Sequence, residues 1–452
     1  MRWRSLGLLA LLFAGVAGAY YGLEAKGKKS EDANQLLRAD EKDIDSVSIT
    51  KGEEQVVVKR EANGWRLIEP VQAKAEKTEI ASLIQTLLTA RQERTIDDQP
   101  KNLGEYGLER PAIRLTLSLK GDKPPFVLLL GDKNPNGFSV YAKRGDQPSV
   151  FLLSNTLRTR LDRKAADFRD KTLLALEPDK VKTVQLATKG RSITLSSDGT
   201  DKWELTQPIK ARADSTAVRQ LLWSIKDARV REFLASGADA QQRYGLDHPD
   251  LTVALTEANA SKRLFLKKAP DPKVGLYARA EPGEGIVAID ARLLTDLSKS
   301  PLDLRDRSLL RFEATDVKAV QLRRGGQSLT LTKEGDVWKL TAPTQADAQA
   351  GKVYDLLYSL KELRYTELVK ENASDLARYG LKAPQAAVEL SMNEGSPLPV
   401  LLIGNSKKDR LYAKLSTAPA VYAIDPKFLD RLPNGPDAVK QEAKPPPASK
   451  SR

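Results

Sequence analysis

Residues 65–70 read Trp65-Arg66-Leu67-Ile68-Glu69-Pro70, and forty-one residues after the tryptophan comes Tyr106-Gly107-Leu108-Glu109-Arg110-Pro111. The same two phrases return at Trp203…Pro208 with Tyr244-Gly245-Leu246…Pro249, and at Trp338…Pro343 with Tyr379-Gly380-Leu381…Pro384. The spacing is identical in all three, and self-similarity at a fixed period is the signature of tandem units. Downstream, Val140-Tyr141-Ala142-Lys143, Leu276-Tyr277-Ala278-Arg279 and Leu411-Tyr412-Ala413-Lys414 extend the register.

Around these phrases one unit is legible. Val47-Ser48-Ile49, residues 55–59 and residues 65–68 alternate apolar and polar positions about Gly52 and Asn63-Gly64, which predicts short antiparallel strands. Ile80, Leu83, Ile84, Leu87 and Leu88 recur at helical spacing, so residues 76–91 are expected to be an amphipathic helix. That stripe returns at Val218, Leu221 and Leu222, and at Val353, Leu356, Leu357 and Leu360. Residues 113–119, 126–130, 139–143 and 150–153 read as four further strands, and residues 155–167 as a second helix. Strands grouped on either side of a helix indicate an α+β fold with largely antiparallel pairing. The expectation is three tandem repeats, each a mainly antiparallel sheet with two helices, over residues 41–174, 175–310 and 311–436.

The first two units close on Phe168-Arg169-Asp170-Lys171 and Leu304-Arg305-Asp306-Arg307, each running into a Leu-Leu pair; the third gives way to Leu432-Pro433-Asn434-Gly435-Pro436. The polar residues 437–452, interrupted by Pro445-Pro446-Pro447, are expected to be a disordered tail.

At the other end, Arg2 and Arg4 precede an uncharged run of 18 residues, Leu6 to Leu23. As a helix it would be about 27 Å long, enough to cross a hydrocarbon core. Residues 1–28 are therefore read as a single-pass anchor in the cytoplasmic membrane, with Ala17-Gly18-Ala19 leaving a cleaved signal peptide as the alternative. Either reading exports the repeats to the periplasmic side.

The chemistry available is narrow. The 452 residues contain no cysteine and one histidine, His248, which leaves no Cys- or His-based metal site. The net charge of +13 comes from 73 basic residues interleaved with 60 acidic ones, without the clustered pattern of a nucleic-acid binder. No nucleophile motif or distinguishable carboxylate pair stands out. No cofactor, no metal and no catalytic residue is expected, so the chain is read as not an enzyme.

The recurrent residues Trp65, Pro70, Trp203, Pro208, Trp338 and Pro343 read as core tryptophans leading into a chain-turning proline. Tyr106, Gly107, Pro111, Tyr244, Gly245, Pro249, Tyr379, Gly380 and Pro384 read as a loop in which glycine supplies a positive φ. Gly131 to Gly137 lacks phosphate-loop spacing and reads as a hairpin turn, and His248, opposite Arg110 and Ala383 of the sister units, as a surface position. Arg169, Asp170, Arg305 and Asp306 are candidate unit-junction contacts, either locking neighbouring units through charge-assisted hydrogen bonds or forming exposed pairs of little energy.

This set of motifs, over residues 41–432, resembles the bacterial domain of unknown function 4340. It departs from that pattern in the missing strand-end glycine of the second unit and the missing Arg-Asp of the third. The resemblance implies an envelope setting beside ABC-type transporters, including those associated with gliding motility, with one N-terminal helix as tether. It implies a membrane-tethered scaffold or accessory subunit whose partner is an envelope protein or transporter subunit; a periplasmic carrier for a lipid, glycan or peptide is the alternative. It supplies no catalytic residues.

Overall fold

The computed structural model describes residues 34–441 apart from residues 122, 201, 259, 284, 395 and 396. The expected anchor, residues 6–23, lies outside the described residues, as do residues 442–452 of the tail. No described helix is long and apolar enough to cross a membrane.

Each repeat is one nine-stranded sheet. In the first, β1 (Ile44–Lys51), β2 (Glu54–Glu61), β3 (Gly64–Glu69) and β4 (Ala73–Lys74) precede the helix α1 (Lys77–Thr89). Then follow β5 (Arg94–Asp97), β6 (Ile113–Leu119), β7 (Phe126–Lys133), β8 (Ser139–Arg144), β9 (Val150–Ser154) and the helix α2 (Asn155–Leu161). The order across the sheet is β4-β3-β2-β1-β6-β7-β8-β9-β5, and the other two sheets repeat it strand for strand. The described strand pairs are antiparallel, as in β1 with β2 and β6. The α+β expectation of tandem antiparallel sheets therefore holds, with two more strands per repeat than the alternation revealed. Ala73–Lys74 is too short to carry a period of two, and the β5 residues Arg94–Asp97 have three exposed side chains of four, so neither leaves an apolar pattern.

Register explains the core. Val47 lies opposite Val58 and Leu117, Ile113 opposite Leu130, Leu130 opposite Ala142, and Ala142 opposite Phe151, so one face is apolar from strand to strand. Helix α1 lays Ile80, Leu83, Ile84 and Leu87 into that core, all at most 2% exposed. Burying each such side chain is worth about 1.5–3 kcal/mol, an upper range because unfolded chains already hide some surface. The second repeat places Val218, Leu221, Leu222 and Ile225 alike, and the third Val353, Leu356, Leu357 and Leu360. α1 carries the chain from one sheet edge, β4, to the other, β5.

The repeats open and close on backbone bridges. Gln35 pairs with Arg91, Thr172 with Arg229 and Ser308 with Arg364, so each Leu-Leu pair following these residues opens the next unit. Leu36 and Leu37 belong to the first core and Leu309 and Leu310 to the third. Closure comes from Ala75 with Arg169, Ala213 with Arg305 and Ala348 with Lys440. The third repeat thus has a closing segment in other residues, Val439-Lys440-Gln441. The Val439 carbonyl accepts from Gln349 N at 2.8 Å, as Phe168 O accepts from Glu76 N at 2.8 Å, and Val439 is fully buried. Residues 437–441, expected in a disordered tail, are ordered for this reason.

By contact the described residues part into two compact units, one of residues 34–192 with Gln220–Ser298, the other of Ile193–Arg219 with residues 299–441.

Candidate functional site

The tryptophans are core residues: Trp65, Trp203 and Trp338 are 7%, 6% and 0% exposed. Each accepts at its carbonyl the N–H of Ala75, Ala213 or Ala348, and the peptide bonds to Pro70, Pro208 and Pro343 are cis. Each Tyr-Gly-Leu is a helix-terminating cap. Gly107, Gly245 and Gly380 have φ of 67°, 66° and 68°, and the leucine N–H reaches back five residues, Leu108 to Leu103 O, Leu246 to Gln241 O and Leu381 to Leu376 O. The leucines are buried.

The two tyrosine motifs meet. Tyr106 packs edge-on against Tyr141 with ring centroids 5.2 Å apart, Tyr244 against Tyr277 at 4.9 Å, and Tyr379 against Tyr412 at 5.1 Å. Burial, with Asp97 beside it, raises the Tyr106 phenol, whose hydroxyl lies 3.4 Å from the Asp97 carboxylate. These pairs seal the cap onto the sheet face opposite the helices. Residues Leu411 and Ala413 belong to the main core of the third repeat, whereas Tyr412 between them joins Leu381 and Val421 on the other face. The strand-end glycine serves the same cap, because a Cβ on Gly131 or Gly404 would stand 2.0 Å from the Tyr106 or Tyr379 carbonyl oxygen. In the second repeat Lys267 stands at that strand end, with its stem 3.4 Å from where a Gly245 Cβ would be. Its ammonium donates to His248 O and Asp250 Oδ1. There the chain before Tyr244 is a helix, Ala238–Arg243, where the first and third repeats have 3₁₀ turns. Alanine and glutamine favour helix, while Gly104 and the Asn102 side chain, which accepts from Gly104 N, do not. The lysines of the Tyr-Ala-Lys phrases hold hairpin carbonyls, as Lys143 does with Arg144 O and Gln147 O. His248 is 91% exposed, and residues 134–139 form a hairpin turn closed by Asn134 N on Ser139 O at 2.9 Å.

The residues that gather polar chemistry are at the junctions. Asp170 accepts from Thr172 N at 2.9 Å and pairs with Lys74 at 3.3 Å. Burial pushes its carboxyl up, but the hydrogen bonds from Thr172 and Lys74 outweigh that and hold it below the ordinary carboxylate value. Asp306 repeats the arrangement with Ser308 N at 2.8 Å and both nitrogens of an Arg311 fork at 3.0 and 2.8 Å. Its burial too is outweighed, by Ser308 and Arg311, and its pKa is lowered. Neither aspartate is an exposed pair with its neighbouring arginine; each caps the backbone that opens the next repeat. Arg169 stacks on Phe233, its Cζ 3.9 Å from the ring centroid, and Arg305 lies 5.8 Å over Tyr365. Glu76 completes the first junction: it accepts from Lys171 N at 3.4 Å and lies 3.6 Å from Arg229, which donates to Thr172 Oγ1 at 3.0 Å. Sequence reading missed Glu76, Thr172, Arg229 and Phe233, although Asp-x-Thr and Asp-x-Ser after each closing arginine carry the signal of a side chain bonding the backbone two residues on.

Clefts open here within one compact unit, and two of them border β4. The larger, about 660 Å³, lies beside the 61–64 hairpin and Trp65. Its arginines are engaged: Arg60, stacked 4.5 Å from Trp65, donates to Ile44 O and Glu41 O, and Arg229 serves Glu76 and Thr172. The smaller, about 330 Å³, lies between β4 of the first sheet and the second-repeat strand Val230–Ser236, each the edge of its sheet, and contains Arg169. No described cluster of three or more His, Asp or Glu residues is placed to hold a metal.

A family model described as "Domain of unknown function (DUF4340)" matches the chain three times, over residues 65–208, 203–369 and 338–443. Each match begins on a repeat tryptophan, and the first two run through a junction into the next repeat. No curated protein matches the chain.

Proposed function

Because the chain belongs to the DUF4340 family, carrying its domain three times over residues 65–443, we propose that it is a non-enzymatic envelope scaffold that captures a protein partner. In this reading residues 6–23 tether it to the cytoplasmic membrane of a bacterium, the repeats stand on the periplasmic side, and the partner is a subunit of an ABC-type transport system. The observation that carries the reading is the first junction. Two sheet edges border a cleft there whose polar groups cap backbone and stack on aromatics, an arrangement that presents a surface and assembles no nucleophile with a base. The carrier alternative requires a continuous apolar groove, and the first and third cores are instead closed, with Leu67, Ile84, Leu331 and Leu357 fully buried.

The test retains residues 1–40 and deletes the repeats. Loss of partner capture in cells is the expected result, and capture at the full-length level sinks the reading.

A further inference from the structure

We infer that the hairpin tip at residues 135–138 of the first repeat sits in the lipid headgroup layer of the membrane that holds residues 6–23; this rests on the tether in the reading above. Phe138 is 80% exposed, more than any other large hydrophobic side chain among the described residues. The turn around it is closed on itself. The N–H groups of Asn134, Gly137, Phe138 and Ser139 donate to Ser139 O at 2.9 Å, Asn134 O at 2.9 Å, Asn136 Oδ1 at 2.8 Å and Asn134 Oδ1 at 3.2 Å. The Phe138 carbonyl accepts from Asn155 N at 2.8 Å, at the start of α2. Backbone donors held internally are what a segment needs to leave water for lipid, and Pro135 has no N–H to satisfy. None of Pro135, Asn136, Gly137 and Phe138 is ionisable.

The sister repeats do not share this tip. Three residues before the tyrosine of each Tyr-Ala phrase stand Phe138, Val274 and Asp409. Val274 is half-buried in a turn with Asp271 and Lys273, and Asp409 lies in the charged run Lys407-Lys408-Asp409-Arg410. A role common to the fold would recur in all three repeats, whereas the exposed aromatic is confined to the one that follows the anchor.

Position selects lipid as the occupant. The described residues begin at Asn34, whose carbonyl accepts from Gln92 N at 2.8 Å. The next residue, Glu93, accepts from Ser139 Oγ at 2.6 Å, so Phe138 stands at the end of the sheet where the chain arrives from the anchor. Ten residues, 24–33, separate that point from Leu23. They span at most about 35 Å, so this end of the first repeat stays within that distance of the bilayer whatever their path. A tethered contact is intramolecular and draws on a high effective concentration, which lets one ring act where a free protein needs several. The ring fixes which end of the first repeat faces the lipid.

The chain has no cysteine, so a single one can be introduced as a probe site. The full-length chain carrying Pro135→Cys is labelled with an NBD fluorophore and reconstituted into vesicles of equal parts phosphatidylethanolamine and phosphatidylglycerol, with and without lipid bearing a nitroxide near the headgroup. The nitroxide lipid should quench this label. Adding Phe138→Asp should abolish the quenching and leave thermal unfolding unchanged, because the hydrogen bonds of Phe138 named above run through its backbone. A label at Asp409→Cys should escape quenching. Quenching that survives Phe138→Asp, or equal quenching at the two labelled sites, overturns the inference, since the chain would then lie on lipid without the ring. A label with blue-shifted emission that the nitroxide does not reach also overturns it, because a second copy or another protein segment would cover the tip. Flotation with the vesicles separates the two readings. Flotation without quenching leaves the tether standing while this inference fails, and failure to float sinks both.

Discussion

Gly404 shows how tightly single residues are specified. A Cβ there would meet the Tyr379 carbonyl oxygen at 2.0 Å, so Gly404→Ala must push the Tyr-Gly-Leu cap off its sheet. We expect it to cost about 2–4 kcal/mol in urea unfolding. Gly351, with nothing within 4 Å and sitting in the helix Ala350–Lys361, should accept alanine with a gain of about 0.4–1 kcal/mol. The junction aspartates carry a pH signature. The folded pKa of Asp170 lies below its unfolded value of about 3.9, so its contribution is present at neutral pH and is lost as pH falls through the folded pKa. Asp170→Asn should therefore destabilise at pH 7 by about 1 kcal/mol, and the gap to the wild type should close below about pH 4. A gap that is independent of pH would mean the carboxylate charge contributes nothing there. At this scale the sequence showed which residues recur but not what they touch. Tyr106 and Tyr141 were visible as two separate motifs, and only folding brings them to 5.2 Å.

Among the elements, the apolar stripe of α1 and the alternation of β1–β3 and β6–β9 were readable because burial on one face imposes a period. β4 and β5 were not, being short edge strands whose membership depends on backbone pairing. The closing segment of the third repeat was hidden for another reason: Phe168, Leu304 and Val439 share a position in the backbone ladder, but the Arg-Asp that follows the first two is replaced by Lys440-Gln441 after the third. Truncation separates the two parts of the C-terminal region. Deleting residues 442–452 should leave unfolding of the third repeat unchanged, whereas Val439→Asp should cost about 3 kcal/mol or more by placing a charge in a fully closed site. Equal effects of the two changes would contradict the closing role of Val439.

For the whole molecule, the repeat count, the α+β class and the family were legible before any coordinates, since three identical 41-residue spacings from tryptophan to tyrosine leave little else. The cleft was not legible, because it is assembled from the end of one repeat, the beginning of the next and Phe233 between them. Under the proposed function these repeats hold a transporter subunit at the outer face of the membrane. Photo-crosslinking in cells from surface positions in all three repeats, read by mass spectrometry, tests it most directly. Repeated recovery of one inner-membrane transporter subunit is expected, with the strongest yield beside the first-junction cleft; recovery of lipid or glycan alone from the same positions would rule out the scaffold and favour a carrier.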